Sequence, residues 1–222
     1  MRFRGSVPSL FLALLVVGSA GGCKLVKNSA DADGGQDTEM VSSRPGGNMN
    51  VLVDEIWDAK VVPQLRDHGT DMATLAPAIA SDLQAAGEAH GYRPSSEGSP
   101  WNFATSVKGR IVAAKTDTRA ATADVDVDGD GKADAILQLG PLIRGTAMRD
   151  VLPFIDFTSF TDQIEFAHLS RALNTKAYET ALKDLPRENL VGRDIEAFGA
   201  FTMRGQGDKL LVTPVQVTLS AQ

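Results

Sequence analysis

Residues 106–139 have the sequence SVKGRIVAAKTDTRAATADVDVDGDGKADAILQL. This stretch predicts three consecutive strands over 106–115, 120–127 and 133–139. In the middle strand every second side chain is apolar, which is the period of a strand with one buried face: Ala121, Ala123, Val125 and Val127. Asp, Gly and Thr fill the two connections, as turns favour. The stretch therefore predicts three neighbouring strands joined by short turns.

Downstream the apolar period changes to that of a helix and then returns to that of a strand. Residues 160–173 predict a helix, followed by a second short helix over 174–183. Residues 195–203 and 210–219 predict two strands joined by a turn at 205–208. Three strands, a helical insert and a two-strand hairpin follow the order of an OB-fold. We predict an α+β fold with an OB-like five-stranded β-barrel over 104–220 and the helical insert between strands 3 and 4. A plain α+β sandwich of the same elements is the alternative.

Upstream, residues 51–67 and 70–90 predict two helices. The first has Val53, Ile56, Trp57 and Val61 at helical spacing, and the second has an apolar stripe that ends before Gly91. We expect the two helices to form a helical hairpin over 51–92 that packs on the barrel. Residues 51–222 would then be a single globular domain.

The N-terminus has the features of an export signal. Arg2 and Arg4 precede an apolar run over 7–20, and small residues precede Cys23. We interpret residues 1–22 as a signal peptide, cleaved before Cys23, with lipid attached to that cysteine. An ordinary signal peptide with an incidental cysteine is the alternative. Residues 23–50 are poor in apolar side chains and are interpreted as a lipidated flexible tether.

The predicted lipid on Cys23 makes a membrane the first partner. We expect the protein in the periplasm, anchored to the inner or the outer membrane. Cys23 is the sole cysteine, so no disulfide can form within the chain. The net charge is −6 and no dense basic run occurs, which disfavours a nucleic-acid partner. Paired histidines at zinc spacing, nucleophile elbows and phosphate-binding loops are also absent from the sequence.

The acidic loop after the second strand is a candidate cation site. Hard oxygens at alternate positions suit Ca²⁺, and Gly131 permits a sharp turn between them. The candidate ligands are Asp126, Asp128, Asp130, the carbonyl of Lys132, and Asp134. The loop is not an EF-hand, because the twelfth position is Leu137 rather than a glutamate. We expect a structural calcium ion as the cofactor, and the alternative is a solvated turn.

The segment 140–150, GPLIRGTAMRD, is a candidate ligand-binding loop. Arginine forms planar, forked hydrogen bonds to carboxylates, phosphates or sugar hydroxyls. The candidate residues are Arg144, Thr146, Arg149 and Asp150, with Gln163 and Asn174 on the following helix. The alternative is that Arg149 with Asp150, or Arg144 with Asp156, forms an ion pair that holds the loop in place.

Several strings resemble a known family, the predicted periplasmic lipoproteins of domain of unknown function 2291. The likeness covers about residues 50 to 219, and 140–150 is its most specific string. The strings are Trp57 with 61–63, 107–109, the acidic loop, 140–150, 157–174, and 199–201 with 213–215. Members are lipoproteins often encoded beside sugar-import transporters of the ATP-binding-cassette type. The resemblance implies an envelope role near carbohydrate uptake.

Three functional hypotheses follow from the sequence. The first is a non-enzymatic accessory protein that binds an envelope protein or a small carbohydrate ligand through 144–150 and the neighbouring helix. The second is an envelope hydrolase or sugar-modifying enzyme that uses Asp156 or Glu165 with Arg144. The third is a calcium-stabilised structural spacer. No catalytic residue is assigned, because no catalytic constellation is visible, and this favours the first hypothesis.

Overall fold

A computed structural model describes residues 48–93 and 98–221 of the chain. The predicted signal peptide, Cys23 and the predicted tether up to residue 47 lie outside the described residues. Within the described part, no helix has both the length and the apolar character needed to cross a bilayer.

The first helical segment begins at Asn48, whose side chain accepts a hydrogen bond from the backbone N–H of Asn50 at 3.0 Å. Helix α1 (Met49–Ile56) continues through a π-helical turn (Trp57–Val61) into α2 (Val62–Asp67). Three of its four predicted apolar positions are buried and Ile56 is only partly so; with Leu65, the buried side chains are Val53, Trp57, Val61 and Leu65. Strand β1 (Thr70–Asp71) follows directly.

The second predicted helix is divided into α3 (Met72–Ser81) and α4 (Leu83–His90). Asp82 has extended backbone angles, and its side chain accepts hydrogen bonds from the N–H groups of Gln84 and Ala85 at 2.9 and 3.1 Å. An aspartate that caps a helix start in this way ends the preceding helix. The prediction of one continuous helix over 70–90 is therefore wrong.

The predicted helical hairpin over 51–92 also needs correction, because the two helical segments bury their apolar faces in different hydrophobic clusters. Strand β1 lies between the segments and pairs in parallel with Thr105 and Ser106. The Thr105 hydroxyl donates to the Thr70 carbonyl at 2.8 Å. Through this pairing the chain runs along the edge of the sheet, between the two clusters. The spacing of apolar residues in the sequence does not predict this course.

The sheet contains β2 (Trp101–Lys115), β3 (Thr122–Asp126), β4 (Ala135–Gln138), β5 (Asp194–Met203) and β6 (Leu211–Leu219). Neighbouring pairs run β2–β3–β4–β6–β5, and β5 pairs again with β2, so the pairings form a closed circuit. The β4–β6 pair is parallel and the other four pairs are antiparallel. All five predicted strands are present, although β2 begins earlier than predicted.

Strand β2 pairs with two strands of the circuit, one along each part of its length. Its first part, Trp101 to Arg110, pairs with β5, and its last part, Arg110 to Lys115, pairs with β3. A Cβ atom at Gly109 would lie 2.1 Å from the carbonyl oxygen of Asp126. Only glycine fits this close approach, where the strand changes partners.

The segment between β4 and β5 is largely helical. It contains α5 (Ala147–Asp150), a 3₁₀ turn (Phe157–Ser159) and α6 (Gln163–Ala177), which continues into a π-helical turn (Tyr178–Leu182). Helix α6 begins later than predicted because the Asp162 side chain accepts hydrogen bonds from the N–H groups of Ile164 and Glu165. It also runs through the predicted second helix, so that division is wrong.

Two hydrophobic clusters lie on opposite sides of β2 and β5. One contains Phe103 and Phe201, whose rings stack 5.1 Å apart, together with buried residues of α3 and all five circuit strands. The other contains Ala104 and Ala200 with buried residues of α1, α2, α5 and α6. The second cluster packs α1 against α6, and the surface of this helical layer holds the candidate site.

Candidate functional site

The acidic loop between β3 and β4 folds around its own carboxylates. The buried Asp126 accepts hydrogen bonds from the N–H groups of Gly129 (2.6 Å) and Gly131 (2.8 Å). Both glycines have positive φ angles, which glycine adopts without strain. Oxygen atoms of Asp126, Asp128 and Asp130 lie within 4.8 Å of one another. The structure thus brings three of the predicted calcium ligands together.

Of the other two predicted ligands, Asp134 has another contact, whereas the carbonyl of Lys132 stays a prediction. Asp134 accepts a hydrogen bond from the Val127 N–H at 2.7 Å, outside the group of three. The Lys132 ammonium lies 2.9 Å from a carboxylate oxygen of Asp130. That hydrogen bond lowers the pKa of Asp130 and raises the pKa of Lys132. Part of the loop's negative charge is therefore already balanced within the loop.

The candidate ligand-binding residues Thr146, Arg149 and Asp150 are bonded to one another. Arg149 forms a forked ion pair with Asp150, with both nitrogen–oxygen distances at 2.7 Å and both side chains mostly buried. The Thr146 hydroxyl donates to the other Asp150 oxygen at 2.6 Å. Arg149 also donates to the Phe166 carbonyl and lies 3.7 Å from the centre of the Phe166 ring. The ion pair offered as the alternative is present.

The remaining candidates of this group have different environments. The backbone of Arg144 is held by the Gln138 side chain, and its own side chain is exposed without a partner among the described residues. Asn174 donates to the Gly145 carbonyl at 3.0 Å, while its side-chain oxygen is buried without a partner in the described structure. Gln163 is exposed at the start of α6. The structure therefore connects Asn174 to the 144–150 segment and leaves Arg144 and Gln163 on the surface.

A cleft of about 800 Å³ lies between the start of α1 and the exposed face of α6. We call it the α1–α6 cleft. Polar and apolar atoms contribute similarly to its surface, and the lining residues are Asn48, Met49, Asn50, Thr161, Asp162, Ile164, Glu165, His168, Arg171, Ala172 and Thr175. Beside it, the Lys176 ammonium lies 2.6 Å from Asp54, and this hydrogen bond raises the pKa of Lys176. The ion pair joins α1 to α6 at the edge of the cleft.

Glu165 connects the helix start to the cleft. One of its carboxylate oxygens accepts a hydrogen bond from the Thr161 N–H at 2.5 Å, and the other is buried with no hydrogen-bond partner in the described structure. His168 and Arg171 lie further along the same face, exposed and without hydrogen bonds or ion pairs to described residues. Three kinds of polar group therefore line the cleft: the carboxylate of Glu165, the imidazole of His168 and the guanidinium of Arg171.

Asp156, the other predicted catalytic carboxylate, caps the 3₁₀ turn. It accepts hydrogen bonds from the N–H and the hydroxyl of Thr158, both at 2.8 Å. These bonds hold the pKa of Asp156 below its ordinary value. The predicted alternative pairing of Asp156 with Arg144 is absent from the described ion pairs.

Sequence reasoning missed Asn48, Asn50, Arg171 and Thr175 as site residues. The sequence does contain a signal for one side of the cleft. Polar residues recur there every three to four positions and therefore share one helix face: Glu165, His168, Arg171 and Thr175. The pairing of that face with α1 gave no such signal, because more than a hundred residues separate the two helices.

The arrangement of strands and helices defines an OB-fold domain. It is similar to the crystal structure of an OB-fold protein from Thermotoga maritima, with a TM-score of 0.63 and 16% sequence identity over 78% of this chain and 98% of that one. This likeness confirms an OB-fold of the α+β class.

The chain belongs to the family of predicted periplasmic lipoproteins called DUF2291, whose model matches residues 11–218. The match confirms the resemblance drawn from the sequence strings. It also confirms a periplasmic, lipid-anchored location, in agreement with a lipid on Cys23. Among curated proteins, no relative matches the chain.

Proposed function

We propose that this chain is a non-enzymatic accessory lipoprotein that binds a small ligand of the carbohydrate class in the α1–α6 cleft. The observation that carries the proposal is that Glu165, His168 and Arg171 line this cleft together, and that His168 and Arg171 are exposed without hydrogen bonds or ion pairs to described residues. The family's description gives the compartment and the anchor, and it names no ligand or reaction.

The lining matches what a sugar needs. A buried acceptor without a partner costs about 1–3 kcal/mol, and this cost would be removed if the Glu165 side chain turned that oxygen toward a ligand hydroxyl. Arg171 would donate to neighbouring hydroxyls, and the asparagines of the α1 start can both donate and accept. Met49 and Ile164 provide apolar surface for the C–H face of a ring. Directional polar groups combined with apolar surface are typical of such sites.

The capping bonds favour binding over catalysis. A general acid in glycoside hydrolysis needs a raised pKa, whereas the Thr158 bonds lower the pKa of Asp156. One carboxylate oxygen of Glu165 accepts a hydrogen bond from the Thr161 N–H at the start of α6. The hydrolase hypothesis with Asp156 or Glu165 therefore has less support than the binding hypothesis. A link to sugar-import transporters, or an envelope protein as the partner, rests on the family resemblance alone.

The binding proposal is tested with the lipidated protein in detergent micelles. Thermal melting is measured against a panel of pentoses and hexoses for wild type, Arg171→Ala and the control Arg110→Ala. Arg110 is an exposed arginine on β2, outside the cleft lining. We expect at least one sugar to raise the melting temperature of wild type and of the control, with the shift lost in Arg171→Ala. No shift with any sugar, or an equal shift in Arg171→Ala, would contradict the proposal.

A second candidate function is a calcium-stabilised β3–β4 loop, which the grouping of the Asp126, Asp128 and Asp130 oxygens favours. The expected affinity is that of extracellular modules, roughly 10⁻⁴ to 10⁻³ M. Calcium should raise the melting temperature of wild type and of Asp117→Asn, an exposed-turn control, and should not raise that of Asp128→Asn. Identical melting of wild type in calcium and in EDTA would remove this candidate.

A further inference from the structure

A second, smaller cavity of about 220 Å³ lies beside the α1–α6 cleft, and we call it the side pocket. Three residues line both cavities: Asn50, Ala172 and Thr175. The side pocket adds the charged residues Asp54, Lys176 and Glu179. Because the two cavities share part of their walls, they form one groove between α1 and α6.

This groove is long compared with a single sugar ring. Glu165 lies in the cleft and Lys176 in the side pocket, and α6 covers roughly 16 Å between them at about 1.5 Å per residue. The cleft alone, at about 800 Å³, is within the range of roughly 300–1,000 Å³ that drug-sized ligands occupy. A monosaccharide would therefore leave much of the groove to water.

The side pocket has hydrogen-bonding groups of its own. The side chains of Thr175 and Glu179 are exposed and make no hydrogen bond or ion pair to described residues. The Lys176 ammonium donates to Asp54 at 2.6 Å, and its other N–H donors remain for further acceptors. The side pocket thus provides donors and acceptors in addition to those of the cleft.

The polar groups of the two cavities lie along one side of α6. Arg171, Thr175 and Glu179 follow one another at intervals of four residues, which places them on the same helix face. Arg171 lines the cleft, Thr175 lines both cavities and Glu179 lines the side pocket. A row of polar groups suits a ligand whose hydroxyls recur from one unit to the next.

We propose that the ligand of the α1–α6 cleft is an oligosaccharide of at least two units. One unit contacts Glu165, His168 and Arg171 in the cleft. The next unit occupies the side pocket, where Thr175, Lys176 and Glu179 bind its hydroxyls. This inference rests on the proposed function and adds the chain length of the ligand to it.

The test is isothermal titration of the lipidated protein in detergent micelles with sugars of increasing length. The probes are glucose, maltose and maltotriose, and xylose, xylobiose and xylotriose. In at least one series the dissociation constant should fall about tenfold from the monosaccharide to the disaccharide. The ratio of these two constants is then measured for variants of the side pocket.

The side-pocket variant is Glu179→Ala, in which this ratio should fall toward one. Glu179→Gln keeps an acceptor and should retain part of the ratio. The matched control is Glu55→Ala, an exposed glutamate on α1 outside both linings, which should keep the wild-type ratio. Melting temperatures equal to that of wild type show that each variant is folded.

The outcomes separate this inference from the proposed function. Equal affinity for a monosaccharide and its disaccharide would overturn the inference and leave the proposed function intact. A chain-length gain that Glu179→Ala retains in full would also overturn it, because the second unit would then lie outside the side pocket. Absence of binding in both series would contradict the proposed function itself, and the inference with it.

Discussion

The 144–150 segment and the α1–α6 cleft both adjoin α6, and both contain several polar side chains. They differ in whether those side chains have hydrogen-bond partners within the protein. In the segment, Thr146, Arg149 and Asp150 bond to one another. In the cleft, Arg171 is exposed without a partner among the described residues, and one Glu165 oxygen is buried without one. Polar groups that bond to one another stabilise a fold, whereas the exposed Arg171 guanidinium is available to a ligand.

This difference explains why residues 140–150, the most specific string of the family likeness, form a less accessible site than the α1–α6 cleft. The two arginines of this segment look available for ligands, but Arg149 has a carboxylate, Asp150, as the next residue in the chain. Arg149 bonds to that neighbour, to a backbone carbonyl and to an aromatic ring. Three substitutions test this contrast between the two regions, and a pH titration tests the neighbouring cap at Asp156.

The largest effect is expected for Arg149→Ala. It removes the forked ion pair, the bond to the Phe166 carbonyl and the cation–π contact, and it leaves Asp150 mostly buried with one partner fewer. Breaking a largely buried pair from one side should cost about 3 kcal/mol of unfolding free energy. Urea unfolding measures the loss. The matched control is Arg171→Ala, an exposed arginine on the adjacent helix, which should change stability by less than about 0.5 kcal/mol. Equal losses in the two variants would show that Arg149 is no more important to the fold than the exposed Arg171.

Thr146→Val should have an intermediate effect. The substitution keeps the side-chain shape but removes the hydroxyl that donates to Asp150. We expect a loss of about 1 kcal/mol in unfolding free energy. Thr175→Val is the control, because Thr175 is exposed in the cleft and makes no hydrogen bond to a described residue. A stability loss confined to Thr175→Val would reverse the assignment of the two regions.

Glu165→Gln should be nearly neutral for stability. The amide oxygen can still accept from the Thr161 N–H, and the position without a partner changes only from oxygen to NH₂. We expect a change below about 0.5 kcal/mol together with a loss of the sugar-induced melting shift. A larger destabilisation with binding retained would make Glu165 a structural cap alone.

The smallest effect concerns pH and Asp156. Because the Thr158 bonds lower the pKa of the folded state below the ordinary value of 3.8, their contribution is present above that value and is lost as the pH falls through the lowered pKa. The Thr158 amide resonance should therefore titrate below pH 3.8. Asp156→Asn keeps the acceptor and should abolish the titration. A midpoint at or above the ordinary value would show that the bonds do not form.

The strands could be predicted from the sequence because the alternation of apolar and polar side chains along a strand is a local pattern. Val125 and its neighbours predict β3, and the later hairpin follows from the same rule. The start of β2 could not be predicted, since the pairing of Trp101 to Thr105 is with β5, about a hundred residues away. The interruption at Asp82 had a local signal in the capping aspartate, whereas the assignment of the two helical segments to different clusters depends on long-range packing.

The candidate site divides in the same way. The clustering of Asp126, Asp128 and Asp130 follows from their spacing in one tight loop. The polar face of α6 follows from its helical period. The α1–α6 cleft required the packing of Val53 and Trp57 against buried residues of α6, which no local pattern encodes.

The most direct test of ligand binding in the α1–α6 cleft is an amide NMR titration of the lipidated protein in micelles with the sugar panel. Binding predicts concentration-dependent shifts at the amides of Asn50, Glu165 and Arg171, and little change over 144–150. Shifts confined to 144–150, or no shift with any sugar at concentrations that saturate weak sites, would contradict the account.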